Sequence, residues 1–264
     1  MKLAHILAAG SLALLFSSCD TLNQGGFTLP PQGTGTATGN TGGSGSTQTQ
    51  TPSSSTGSIT QAEANTGIKQ ALNSGLQQSI QTLSVKDGFL GDAAVKILMP
   101  KEAQQVESAL RAVGMGKLCD QFIMSMNRAA ETAVKEASTV FVNSLAKMTV
   151  NDAFNILLSG QQDAATNFFK RTTSSELTSR FSPIVQSAMG KNNVSTYWTQ
   201  LTSAYNNLPL GNKIETDLNA YVTQKAIDGL FLKVADQELK IRKNIGGARN
   251  SGILDKVFGW VDKQ

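Results

Sequence analysis

The chain has 264 residues with a formal charge of +4, yet only 16% of its residues are charged. Its longest basic cluster is Lys240 to Lys243, interrupted by Ile241, so the clustered Lys/Arg stripe of a nucleic-acid binder is missing. One histidine, His5, and two cysteines, Cys19 and Cys119, leave no basis for a His-based metal or acid–base centre or for a disulfide framework.

Residues 1–18 read as an export signal. Lys2 supplies the charged start, Leu3 to Phe16 is mostly apolar, and Ser17 and Ser18 are the small residues before a cut that would also remove His5. The apolar run falls short of the roughly 20 residues that span a bilayer. The stretch Leu15-Phe16-Ser17-Ser18-Cys19 resembles the lipobox of bacterial lipoproteins, with Leu one place earlier than usual. That resemblance implies acylation of Cys19, palmitate-type chains among them, and two or more chains anchor a protein stably where one is marginal. Asp20 resembles the residue that retains lipoproteins in the inner membrane of enteric bacteria.

From Thr21 to Ser58 no residue is charged, and Gly, Ser, Thr and Gln dominate. Such a segment buries too little apolar surface to order itself, so residues 19–58 are expected to form a disordered tether of roughly 35 Å mean span. The expected domain is residues 59–264, with no cofactor or metal site.

Within it every predicted element is helical. Thr60-x-x-Glu63 is a capping box, and Ile68, Leu72, Leu76, Ile80 and Leu83 continue one apolar face. The segment 87–91 breaks that helix, and Val95 to Met99 is either an extended connector or a short helix ending. Pro100 opens a helix through Val106, Leu110 and Val113. The next runs from about Lys117 to Lys135 with Cys119, Ile123, Met126 and Ala130 on one face, where Cys119 packs as a small hydrophobe. A helix over 138–148 comes after it, then one opened by Thr149-x-x-Asp152 and closed by Ser159-Gly160. Asp163 is read as the cap of a short helix ending near Arg171. Thr173-x-x-Glu176 matches a further capping box, so the chain is expected to turn at Thr172 and start a helix that Pro183 kinks or restarts. Val194, Trp198, Leu201 and Tyr205 mark another helix.

From Asp217 to Lys243 the apolar residues fall on two neighbouring stripes. One is Val222, Ala226, Leu230 and Val234, and the other is Ile227, Phe231 and Ala235. A doubled stripe predicts a helix covered from two sides, with Gly229 admitting a second helix at close range. A short helix over 253–261, carrying Phe258 and Trp260, is expected to fold back on the domain. The fold class is all-α: a single globular domain of about eight to ten helices.

Several stretches carry a further resemblance: GFLG from Gly88, LRAVGMGKL from Leu110, MNRAAE from Met126, DAATNFFKRTT from Asp163, LTSRFSPIV from Leu177 and YVTQKAIDGLF from Tyr221. Together they resemble an uncharacterised bacterial envelope-protein family catalogued as domain of unknown function 4197. The resemblance implies an exported, mostly helical protein, often with a lipid-attachment cysteine, and implies no reaction.

Three polar groups stand out as candidate sites. Lys170 and Arg171 lie beside the predicted start of a helix at Thr173, where a phosphate or carboxylate would be favoured; the alternative is that they cap the preceding helix. Asn127, Arg128 and Glu131 are a polar group among alanines, and Arg128 and Glu131 can pair across one turn. Lys225 and Asp228, flanked by Tyr221, interrupt the helix expected to be covered, and a pocket at that level is the first place to look for a ligand.

The leading expectation is a non-enzymatic lipoprotein, anchored by its acyl chains and facing the periplasm, whose domain binds an envelope protein, peptidoglycan or a lipid. Two alternatives remain. One is a helical cell-wall-cleaving enzyme working with a single Glu, although the Glu-Ser step of such enzymes is absent because Glu176 is followed by Leu177. The other is a lipid carrier enclosing an apolar cavity.

Overall fold

A computed structural model describes residues 59–207 and 216–264. The export signal, Cys19 and the tether lie outside these residues, as do Pro209 and Gly211, expected to close the helix through Tyr205, and Glu215, expected with Asp217 at the acidic start of the next. Among the described residues are nine α-helices and three short 3-10 turns, and no strand. Together they form one all-helical domain.

The helix α1 (Gln61–Ser84) begins as its sequence dictates. Thr60 accepts from Glu63 N–H at 3.2 Å, while the Glu63 carboxylate accepts from Thr60 N–H at 2.9 Å. Ile68, Leu72, Leu76, Ile80 and Leu83 are all buried. After turns over residues 86–95 and an irregular stretch at 96–100, a 3-10 turn (Lys101–Ala103) leads into α2 (Gln104–Ala112). Val106 and Leu110 are buried, but Val113 stands beyond the helix and is 55% exposed. α3 (Gly116–Ala133) buries Cys119, Ile123, Met126 and Ala130 along one face. α4 (Ala137–Lys147) comes next, then α5 (Val150–Leu158), whose Thr149–Asp152 capping box forms in full.

The next 28 residues correct the sequence reading. Instead of a short helix, a corner at Thr172 and a new cap, α6 runs unbroken from Ala164 to Lys191. Thr173 caps nothing: its hydroxyl donates to the Phe169 carbonyl one turn back, and Glu176 pairs with Arg180. A capping box forms only where the chain enters the helix from extended backbone. Here Phe168, Phe169, Leu177 and Phe181 reach the core together only if the helix continues through Thr173. Pro183 does not interrupt it either. Asp163, placed as its N-cap, makes no side-chain capping bond; Glu238, 73 residues beyond Ala165, caps the helix instead by accepting from the Ala165 N–H.

α7 (Val194–Asn206) stacks Trp198 on Phe122 of α3, with 5.3 Å between ring centroids. α8 (Leu218–Arg242) starts at Asp217, whose carboxylate accepts from Ala220 N–H. It packs against α1, α3 and α6. Both predicted stripes are covered, except that Ala235 is only partly buried. The close neighbour that Gly229 admits is not a helix. A Cβ there would meet the Phe89 ring at 2.7 Å and Val95 at 3.3 Å, both from the segment between α1 and α2. α9 (Gly252–Val261) folds back as expected and lays Val257 and Phe258 on α1 and the core.

Candidate functional site

The site is built on the connection between α1 and α2. Gly88 lets this connection double back on α1, because a Cβ there would lie 2.6 Å from the Thr82 and Leu83 carbonyls. Turn hydrogen bonds satisfy only part of this segment's backbone, and side chains of α3 take up Phe89, Leu90 and Ile97. Glu131, 4% exposed, accepts from Phe89 N–H at 3.2 Å and Leu90 N–H at 3.5 Å. Its other oxygen accepts from Arg128 at 2.7 Å, and Arg128 also reaches Asp87 at 2.7 Å. Asn127, fully buried, accepts from Ile97 N–H at 2.9 Å and donates to the Ile97 carbonyl at 2.8 Å. The polar group read among the alanines is therefore a hydrogen-bonded network, with Asn127 and Glu131 buried and Arg128 half-buried at its edge. Its task is to hold residues 87–97.

A second set of holds comes from α8. Tyr221 donates its hydroxyl to the Leu98 carbonyl at 3.0 Å, and Lys233 pairs with Asp92. That hydrogen bond from Lys233 holds the Asp92 carboxyl below the usual carboxylate range. Burial pushes the Tyr221 phenol up, and the nearby Glu102 carboxylate adds to the effect.

Between residues 94–104 and the outer face of α8 lies a groove of about 610 Å³. Val95, Leu98, Met99 and Lys101 line one wall, and Tyr221, Lys225, Asp228 and Leu232 the other. Its volume falls in the range of ligand sites. Lys225 and Asp228 are exposed in it, which corrects the expectation that they are covered. They look away from both apolar stripes: Asp228 accepts from Gln224, and the Lys225 ammonium sits 5.9 Å from the Tyr221 ring centre. The six polar residues thus divide into two sets. Asn127, Arg128 and Glu131 support the segment from within; Tyr221, Lys225 and Asp228 face the groove it bounds.

The anion site expected at Lys170 and Arg171 is not formed. Both lie in the interior of α6, so no free helix N–H groups stand beside them. Each extends over an aromatic ring, Lys170 towards Phe231 and Arg171 towards Phe168. Cys119 is buried in the core as a free thiol, and burial pushes its pKa up, the reverse of a reactive cysteine.

The sequence reading passed over Glu238. It accepts from Ala165 N–H and Thr166 N–H, both at 2.9 Å, from the Thr166 hydroxyl, and from Arg242. One signal was present: Val234, Glu238 and Ile241 continue a single face of α8, so Glu238 falls on the apolar stripe rather than on the solvent side.

Fold and site together define an all-helical protein with a braced, groove-bearing connection between its first two helices. Residues 58–259, well over half the chain, match the family described as "Protein of unknown function (DUF4197)", and the chain belongs to that family. No curated protein and no solved structure matches the chain.

Proposed function

We propose that the protein is a lipid-anchored component of the bacterial cell envelope whose helical domain binds a partner, without catalysis, in the groove between residues 94–104 and α8. The observation that carries this reading is the bracing of one groove wall. Asn127, Glu131 and Tyr221 fix residues 89–98 by five hydrogen bonds to backbone groups. A wall already fixed loses little freedom when a ligand arrives, which favours binding. The anchor is supported by the sequence through Cys19, with the uncharged stretch 21–58 as the spacer.

Two observations weigh against the alternatives. Both Glu131 oxygens are occupied by backbone N–H groups and Arg128, and Glu176 pairs with Arg180, so neither is poised as a lone acid at a cleft. A small apolar pocket between Leu72, Ile241 and Phe258 measures about 10 Å³, room for one water at most and none for an acyl chain.

Two measurements test the proposal. Cys19→Ser should abolish incorporation of a labelled fatty acid and release the protein from membranes; undiminished membrane attachment would overturn the anchor. A photocrosslinker at Leu232 should capture a partner in the native envelope, whereas one at Leu158, somewhat more exposed on α5, should not. Capture at Leu158 alone would overturn the groove.

A further inference from the structure

Residues 96–98 pass Asn127 as one strand passes another. Pro100 pushes Met99 towards extended backbone, and exposure alternates along the stretch: Lys96 and Leu98 are exposed, Ile97 and Met99 buried. The Asn127 carboxamide satisfies both the N–H and the C=O of Ile97, as a neighbouring strand would. In extended backbone the groups of the adjacent residues point the opposite way. On that side the Leu98 carbonyl accepts from Tyr221, at the groove. Lys96 C=O and Leu98 N–H have no hydrogen-bond partner among the described residues. An acceptor on residue i−1 and a donor on residue i+1 are the pair through which one residue of a parallel strand docks.

The charges around this edge have a sign. Lys96, Lys101 and Lys225 have no carboxylate partner among the described residues, and the groove holds only Glu102 and Asp228 against them. Leu98 and Leu232 add exposed apolar surface, at 55% and 41%.

We propose that the groove takes an extended peptide segment of a partner protein, carrying acidic and apolar side chains, which adds alongside residues 96–98 through main-chain hydrogen bonds. This rests on the groove being the binding site. The unused donor and acceptor supply backbone pairing, and the lysines and leucines supply side-chain preference.

The test selects a displayed library of random short peptides against the full chain in detergent, then measures the enriched peptides by calorimetry. Leu98→Pro removes the N–H in question, retains the carbonyl that Tyr221 uses, and favours at Ile97 the extended form to which its paired bonds with Asn127 point. Enriched peptides should alternate acidic and apolar residues. They should bind Leu98→Pro and the double variant Lys101→Glu/Lys225→Glu about five- to ten-fold more weakly, with melting temperatures unchanged. N-methylation of a peptide's central amide should cost as much, which keeps the test valid if Leu98→Pro folds poorly. Peptides that crosslink at Leu232 yet ignore both backbone changes would overturn strand addition and leave the groove reading intact. Retention of cell-wall fragments or phospholipid vesicles at Leu232, with no peptide enriched, would overturn the peptide. No crosslink at Leu232 from any of these probes would overturn the groove reading with it.

Discussion

Glu131 on α3 and Glu238 on α8 are the same device used in two places. Each is almost inaccessible, each accepts two consecutive backbone N–H groups from a remote segment, and each pairs with an arginine one turn away on its own helix. The results differ in tightness. Glu238 meets the start of α6, where N–H groups converge and the helix dipole favours a negative charge, and its bonds are 2.9 Å. Glu131 meets an irregular segment at 3.2 and 3.5 Å, and its arginine is shared with exposed Asp87. A buried carboxylate is tolerable only when its oxygens are satisfied. A helix start offers the more complete set of donors, so the tighter clamp secures a helix of the core and the looser one secures the wall of the groove.

The largest effect that would test this contrast is at Glu238. Glu238→Ala strips the cap from α6 and leaves the part-buried Arg242 without its carboxylate, at a cost of about 3–5 kcal/mol in urea denaturation. A cost below about 1 kcal/mol would mean that water replaces the clamp. Glu131→Ala should cost less, about 2–4 kcal/mol, and its damage should be local, with protease cleavage appearing first at residues 87–91. Equal costs with no local cleavage would erase the distinction between the two clamps.

Local caps rank below both. Thr60→Ala should cost about 1 kcal/mol because its hydroxyl holds a helix start. Glu176→Ala, in the box that never forms, should stay within about 0.5 kcal/mol.

The smallest effect is in acid. Glu63 is pulled from 4.5 to about 2, chiefly by its bond from Lys256, and Asp92, Asp152 and Asp262 are lowered by their hydrogen-bond partners. The unfolded chain takes up protons that these folded carboxylates refuse. Their contribution is therefore present above about pH 4.5 and fades as pH falls towards about 2. Denaturation midpoints should fall across that window, and by less in Lys256→Ala, which lacks the main cause of the Glu63 shift.

The parts of the fold legible in sequence are those fixed by neighbours in the chain. The boxes at Thr60 and Thr149, the face of α3 and the stripes of α8 all depend on residues three or four apart. Thr173-x-x-Glu176 has the same pattern and fails, because phenylalanines on both sides of it need one continuous helix to reach the core. The candidate site was half legible. Asn127, Arg128 and Glu131 stood out as polar among alanines, but what they hold lies 30 to 42 residues away, beyond any local periodicity. Lys225 and Asp228 pointed to the level of α8 where the groove lies but were expected on a covered side, and doubling an apolar stripe still leaves a helix one open face.

Cys119 gives the domain an internal clock. Its sulfur is sealed in the core, and the only other cysteine in the chain is Cys19, before the domain. A thiol reagent can reach it only when α3 leaves its neighbours. The labelling rate of an unmodified domain then measures how often the core opens, and a ligand that fills the groove and steadies its braced wall should slow that rate.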